Sequence, residues 1–450
     1  MESDWAWTEA AGARVGSPLR VATLAGVLQA LLVNTGRSWS AALGARLRQA
    51  GGDLVRLAGL SVAELLAGHF RATAARCSKH ALVLVSGDTS GLNFSGLRAV
   101  SGLGSLGNKS GARGLWAHSA IALTAAGEPL GVLDLRLWSR VGARAPKDER
   151  PYAQRESYKW EQSLQAVQQR LPPGTAAVVI TDRESDIFEY FLAPRRAGVD
   201  LVVRAAWPRN GRTGEEGPWQ TVLALAANAT PLASVQVLVP RTATRAARQA
   251  TLVVRAAQVR VKSPRKWPAR RRCVLPLSVV AASESEPPAG VAPLSWILLT
   301  TLPVPDAAGA VTVLRYYQRR WRVETQHETL KREGLRVERL QMHSVAALKR
   351  AIALYYVVAW RAMDLCLAAR EQPEQPADER FGADELTVLA VLAGGEVTTL
   401  GQAVALIAKL GGWEGYRSSP PYGPKTVQRG LLKFQAMVDY HRLRGEARGP

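Results

Sequence analysis

Apolar and polar positions follow two rhythms along the chain, and their alternation predicts its elements. Over residues 1–70 the pattern is helical: Leu19–Leu32 is rich in Ala, Leu and Val and ends near Asn34-Thr35-Gly36, and 41–49 and 62–70 follow as helix candidates. Residues 81–88 read ALVLVSGD, a short apolar run into Ser-Gly, which predicts a buried strand with Asp88 just past its end. Strands are predicted again over 116–124 and 131–138, giving three antiparallel strands in sequence. Residues 156–170 carry Trp160, Leu164 and Val167 at helical spacing, 176–180 form a second buried strand, and Asp182 falls just beyond it. Asp186 is the rival carboxylate there, at a helix start where a surface or capping role is the more natural reading. A short strand over 201–203 leads to Arg204, strand-like runs recur at 234–239, 251–261, 274–281 and 295–301, and a long apolar helix is predicted over 346–370. Glu371–Asp384 is Pro-rich and acidic, which marks a linker, and 385–450 is helical again, broken between Gly411 and Pro424.

One stretch organises the rest. Tyr317–Lys331, YQRRWRVETQHETLK, contains neither Pro nor Gly and is predicted to run as one helix toward Gly334. At roughly 100° per residue, Tyr317, Arg320, Glu324 and Lys331 fall within about 60° of one another. A carboxylate on that face can hold a metal ion, and the cations and phenol can hold phosphate oxygens. A solvated charged face is the alternative.

Composition and charge change the picture further. The 450 residues allow about two to four domains. The formal net charge of +21 points to a polyanionic partner, of which nucleic acid is the usual one. Residues 217–283 contain no Asp or Glu, and eleven Arg and Lys lie between Arg241 and Arg272, so a β-rich insertion over 217–292 is expected to follow a phosphate backbone through Lys266, Arg270 and Arg271, with Trp267 among them. Cys77, Cys273 and Cys366 are far apart, which excludes a Cys-rich zinc motif and suggests a reducing compartment. No apolar run reaches the roughly 18–20 residues needed to span a bilayer, and MESDWAWTEA does not read as a signal peptide; a cytoplasmic protein without membrane contact is expected. The Gly-rich stretch SGLGSLGNKSGAR is not a P-loop, because Asn108 separates Gly107 from Lys109; an ATPase is discounted.

Three carboxylates remain: Asp88, Asp182 and Glu324. Acids converging from separate elements can hold two divalent cations that serve both oxygens of an in-line phosphodiester displacement, and Mg²⁺ suits such ligands, with Mn²⁺ possible. Three strands, a helix and a strand ending in the second acid give the element order of a ribonuclease-H-like fold. In its motifs the chain resembles the insertion-sequence-four family of DDE transposases, the family of the transposon-five transposase. Tyr317, Arg320, Glu324 and Lys331 meet its Tyr-x2-Arg-x3-Glu-x6-Lys pattern; Asp88-Thr89-Ser90 and Asp182-Arg183-Glu184-Ser185-Asp186-Ile187 match its two acid blocks. Lesser matches are Glu156-Ser157 with Lys159-Trp160, Val202-Val203-Arg204, and Lys425-Thr426-Val427-Gln428-Arg429-Gly430; the family's Arg-rich N-terminal segment is reduced to Arg14 and Arg20.

The resemblance implies an α/β protein: a ribonuclease-H-like catalytic domain over 71–370 containing the basic insertion, flanked by a helical domain over 1–70 that binds transposon ends and a helical dimerisation domain over 385–450. It implies cut-and-paste transposition, in which Asp88, Asp182 and Glu324 coordinate two Mg²⁺ while the ends are nicked, closed to hairpins, reopened and joined to target DNA. Tyr317, Arg320, Lys331 and Arg204 would hold phosphates, and Trp296 would receive a displaced base. The partners implied are double-stranded DNA, as terminal inverted repeats and target, and a second copy of the chain in a paired-end complex. A stand-alone two-metal nuclease and a non-catalytic DNA-binding descendant of a transposase are the alternatives.

Overall fold

A computed structural model describes residues 5–107, 111–142, 150–239, 247–331, 335–416 and 421–446. Asn108, Lys109, Arg241 and Gly334, named above, lie outside them. The chain opens with helices α1 (Trp5–Ala10), α2 (Pro18–Val33), α3 (Trp39–Arg56), α4 (Val62–Leu65) and α5 (Ala67–Cys77). Ser17, Ser38 and Ser61 cap α2, α3 and α4, each accepting a hydrogen bond from a first-turn backbone N–H.

Strands β1 (Leu82–Asn93), β2 (Gly104–Ser105), β3 (Arg113–Thr124) and β4 (Pro129–Trp138) follow, then α6 (Lys159–Arg170), β5 (Ala176–Thr181), α7 (Phe188–Leu192) and β6 (Val199–Arg204). β1 pairs antiparallel with β3, β3 antiparallel with β4, and β1–β5 and β5–β6 are parallel, so this part of the sheet runs β4-β3-β1-β5-β6. The apolar run in β1 is continuous because both faces are covered. Leu84 joins the core built around the long C-terminal-half helix, while Val83 and Val85 join Trp160 and Leu164 of α6.

β7 (Asn210–Arg212), β8 (Gln220–Thr221), α8 (Val222–Asn228), β9 (Pro231–Val239), β10 (Arg248–Lys262) and β11 (Val274–Glu284) form the insertion, and β12 (Ser295–Thr300) returns to β6. β11 pairs with both β10 and β12, so the insertion prolongs the central sheet.

The last third is helical: α9 (Ala307–Gln318), α10 (Trp321–Lys331), α11 (Val345–Glu371), α12 (Ala383–Ala393), α13 (Leu400–Leu410) and α14 (Pro424–Glu446). α11 is long and apolar enough to cross a membrane, contrary to the expectation from apolar runs, but its most apolar window is wholly buried in the protein, as befits a core helix. The terminal helices share its core, and the side chains of Gln29 on α2 and Gln435 on α14 hydrogen-bond at 2.6 Å.

Two expectations need correction. Asp88 lies inside β1, not past it: pairing with β5 stops at Ser86–Ile180, while pairing with β3 continues to Asn93–Gly114. The predicted single helix over 317–331 is two helices, with Arg319 and Arg320 in the turn between. Their N–H groups bond to Tyr316 and Tyr317 carbonyls in a tightened final turn, and the Arg320 carbonyl accepts both from Val323 N at 3.3 Å and from Ser86 Oγ of β1 at 2.9 Å. A tertiary hydrogen bond thus ties the break to β1, and local helix propensity is too weak a preference to forbid it.

Candidate active site

Two residues beyond Ser86–Ile180, the last β1–β5 pair, stand two acids: Asp88, still within β1, and Asp182, just past the end of β5. Parallel neighbours about 4.8 Å apart therefore present two carboxylates at the same level. β5 ends at Thr181, so the two acids stand where its parallel pairing runs out, the end of the strands at which open α/β sheets place their sites.

Each acid spends one oxygen on its own backbone. Asp88 Oδ1 accepts from Thr89 N at 2.7 Å, and Asp182 Oδ1 accepts from Glu184 N at 2.9 Å, capping the turn 183–185. Asp88 Oδ2 faces His327 Nδ1 at 3.6 Å, and His327 Nε2 meets Ser119 Oγ at 2.9 Å. Burial would raise the Asp88 carboxyl, but the His327 hydrogen bond and charge, the Thr89 N–H and Arg320 together hold it below its ordinary value. Burial and then the negative charge of Asp88 push Asp182 up, against smaller opposing effects from the Glu184 N–H and Arg320.

Glu324, in the first turn of α10, is ion-paired with Arg320 at 2.5 Å. The Arg320 guanidinium is nearly buried; burial lowers its pKa, but the net direction is upward because Tyr317, Glu324 and Asp88 favour its charge. One cation thus interacts with all three acids. As the side chains stand, the expected three-acid cluster is not closed: among the described residues no three potential ligands group tightly enough to hold a metal ion. Glu324 is instead paired with Arg320.

The remaining expected residues divide. Trp296 is half-buried at the start of β12 and meets Tyr317 edge-on, ring centroids 5.9 Å apart. Tyr317 is only 1% exposed and its hydroxyl has no hydrogen-bond partner among the described residues, so it supports Trp296 and Arg320 rather than offering a surface phenol. Arg204, the last residue of β6, donates to the Ser295 carbonyl at 3.1 Å. Lys331 ends α10, half-buried. Lys266, Arg270 and Arg271 are exposed on the loop between β10 and β11, with the Arg271 guanidinium 4.5 Å from the Trp267 ring centre.

Trp267 itself corrects the expectation: it is buried, edge-on to Phe188 at 5.3 Å, and anchors the basic loop instead of facing a nucleic acid. Asp186 is another correction. It is 1% exposed and paired with Arg209 at 2.7 Å, not a surface acid. His327 and Ser119 go unnamed by the motif pattern; the 324/327 spacing, one turn apart on a helical face, is the signal that finds the histidine.

Residues 157–360 match the family described as the transposase DDE domain. The match takes in Asp182 and Glu324 and stops short of Asp88, which reaches the site through its pairing with β5. It supports a DDE transposase, an enzyme that cleaves DNA, and such domains typically use divalent metal ions. Among solved structures, the chain is similar to a piggyBac transposase, determined by cryo-EM as a synaptic complex with hairpin DNA: 9% identity over 96% of this chain and 73% of that one, with a TM-score of 0.39. Likeness at that level carries no inference about this chain.

The donor set fits a divalent cation in part. Asp88 and Asp182 are two hard oxygen donors held level, each with one oxygen not used by its own turn, and their mutual repulsion is what a cation relieves. Glu324 would complete the set once released from Arg320.

Proposed function

We propose that the chain is a cut-and-paste DNA transposase of the insertion-sequence-four kind, with a ribonuclease-H-like core. The observation that carries this reading is the level placement of Asp88 and Asp182 on neighbouring parallel strands, with α10 clipped to β1 through Ser86 and Arg320. The strand order β4-β3-β1-β5-β6, three antiparallel then two parallel additions, supports the core assignment.

Asp88, Asp182 and Glu324 would hold divalent cations, Mg²⁺ or Mn²⁺, which supply charge to the attacking and leaving oxygens of a phosphodiester displacement. His327 orients Asp88 through its Nδ1 while Ser119 fixes the ring from the other side. Arg320, when Glu324 turns away, is free to meet a phosphate oxygen at the same point. Arg204 and Lys331 grip the DNA backbone on either side, and Lys266, Arg270 and Arg271 extend that grip along the insertion. Trp296, braced by Tyr317, receives a base displaced near the cut. Cutting two ends together requires two copies of the chain in one complex, in the bacterial cytoplasm where the element resides.

The test uses the DNA flanking the gene as paired terminal repeats, with a plasmid target and Mg²⁺. Excision followed by insertion supports the proposal. Cleavage without insertion would leave the nuclease alternative, binding without any cleavage would leave only a DNA-binding descendant, and processing that survives Glu324→Ala would overturn the three-acid mechanism.

A further inference from the structure

The loop after β6 is held by a buried acid that the chemistry above does not use. Asp186 Oδ2 accepts from the backbone N–H groups of Ala206 and Trp207, at 2.7 and 3.0 Å. Its Oδ1 accepts from Arg209 Nε at 2.8 Å, and Arg209 Nη2 also reaches the Asp186 carbonyl at 2.6 Å. The Asp186 side chain is fully buried and that of Arg209 is 10% exposed. Burying an ion pair is costly unless its geometry and hydrogen bonds are nearly complete. Here four hydrogen bonds converge on one residue to fix a five-residue loop.

What the loop presents is Trp207, 61% exposed. Among the described residues no ring or cation stacks on it. Arg209 N donates back to the Trp207 carbonyl at 2.8 Å, and Pro208 disfavours a helical backbone at Trp207, so the main chain beneath the indole is fixed from both sides. An isolated exposed apolar residue needs no explanation; one whose backbone is clamped by a buried carboxylate is different, because the clamp gives a rigid ring rather than a loose one. Position adds the rest. Asp186 closes the turn that Asp182 opens, and Ala205 N donates to Ile297 O at 2.8 Å, beside Trp296. The loop that carries the indole therefore follows the same carboxyl end of the parallel strands as Asp182.

We infer that Trp207 is a stacking platform for a nucleobase of DNA lying across that end, separate from Trp296, with Asp186 and Arg209 as its positioning residues. An aromatic face accepts any base, so the contact is sequence-tolerant and needs an unpaired or unstacked nucleotide. This rests on the DNA-cleaving reading above.

The experiment uses the full chain in metal-free buffer, so that binding is read apart from catalysis. Affinities are measured for an intact duplex and for the same duplex with a single-stranded gap. Wild type is expected to prefer the gapped duplex. Trp207→Ala should reduce that preference by about 5- to 150-fold while binding intact duplex as before, with an unchanged salt slope because no phosphate contact is lost. Trp207→Phe should keep most of it, and Arg209→Ala, which frees the loop, should lose part of it. Retention of the preference by Trp207→Ala, or its absence in wild type, overturns the platform; full retention by Arg209→Ala overturns the clamp. A wild-type chain that binds neither DNA sinks the DNA-cleaving reading as well, whereas one that cleaves terminal repeats while Trp207→Ala behaves identically sinks the platform alone.

Discussion

Asp88 and Asp182 share one guanidinium just beyond the parallel pairing of β1 with β5, whereas Lys266, Arg270 and Arg271 stand exposed on the loop between β10 and β11. In the first region charge is scarce, largely buried and individually placed: each acid has a backbone donor, and Arg320 serves them all. In the second it is plentiful and set in water, where single charges are screened and nearly interchangeable. On the proposed function, removing one group at the acid end changes the chemistry. Removing one from the basic loop changes only an affinity for DNA.

The sharpest break comes from the acids. Asp88→Asn or Asp182→Asn should lower cleavage of terminal-repeat DNA by about a thousandfold or more, roughly 4 kcal/mol of transition-state stabilisation, with DNA binding retained. Gel-based cleavage at saturating protein checks this, and more than a tenth of wild-type activity would place the chemistry elsewhere.

Arg320→Ala comes next. It leaves Glu324 and the two aspartates without their common counter-charge and should cost roughly 2–3 kcal/mol of stability, less than a fully buried pair because Glu324 is about a third exposed. Urea unfolding with and without Mg²⁺ measures it; in the variant the ion should restore more stability than it adds to wild type. Equal effects of Mg²⁺ on both proteins would refute the competition between Arg320 and the metal for the acids.

The two aspartates should also separate by pH. Asp182 is raised in the folded protein, chiefly by burial and by Asp88, so the native state holds its proton better than the unfolded chain. Stability from this group is greatest below its ordinary value near 3.8 and falls as pH rises through the raised value. Asp88 is lowered, so its contribution is present above 3.8 and is lost as pH falls through the depressed value. At pH 7, Asp182→Asn should therefore raise the thermal midpoint and Asp88→Asn should lower it, since Asn preserves the Oδ1 acceptor in both. Shifts of the same sign would mean the two sites are not electrostatically distinct.

The smallest effect belongs to the basic loop. Arg270→Ala and Arg271→Ala should each weaken binding to all DNA sequences alike and reduce the steepness of the salt dependence by about one unit of log K per log salt. Cleavage at saturating protein should stay unchanged; a loss there would draw the loop into the active site.

Much of this was legible in residue order. The apolar runs that became β1, β3, β4, β5, β6 and β12 declare themselves by length and by the turns that bound them, as α2 and α11 do by their helical rhythm. Asp182 was placed correctly past its strand because a buried strand has only one way to end at the sheet's edge. Asp88 was not, because strand length is set by the neighbour that stays paired, and β3 lies more than twenty residues on. Glu324 and Lys331 shared a helix as expected, but Tyr317 and Arg320 did not, because the chain bends where Ser86 takes the Arg320 carbonyl.

The sequence by itself determined most of the strands and helices, though not where 317–331 breaks or where β1 ends, the acid-free basic stretch over 217–283, and which side chains are chemically able to serve a phosphodiester. Tertiary structure alone decided their company: that Asp88 stands level with Asp182, that Arg320 rather than a third acid closes the group, that Trp267 is interior, and that Asp186 fastens a distant loop. The physical reason is range. Propensity and periodicity act over a few residues along the backbone, whereas burial, charge coupling and cross-strand pairing act between groups brought together from far along the chain.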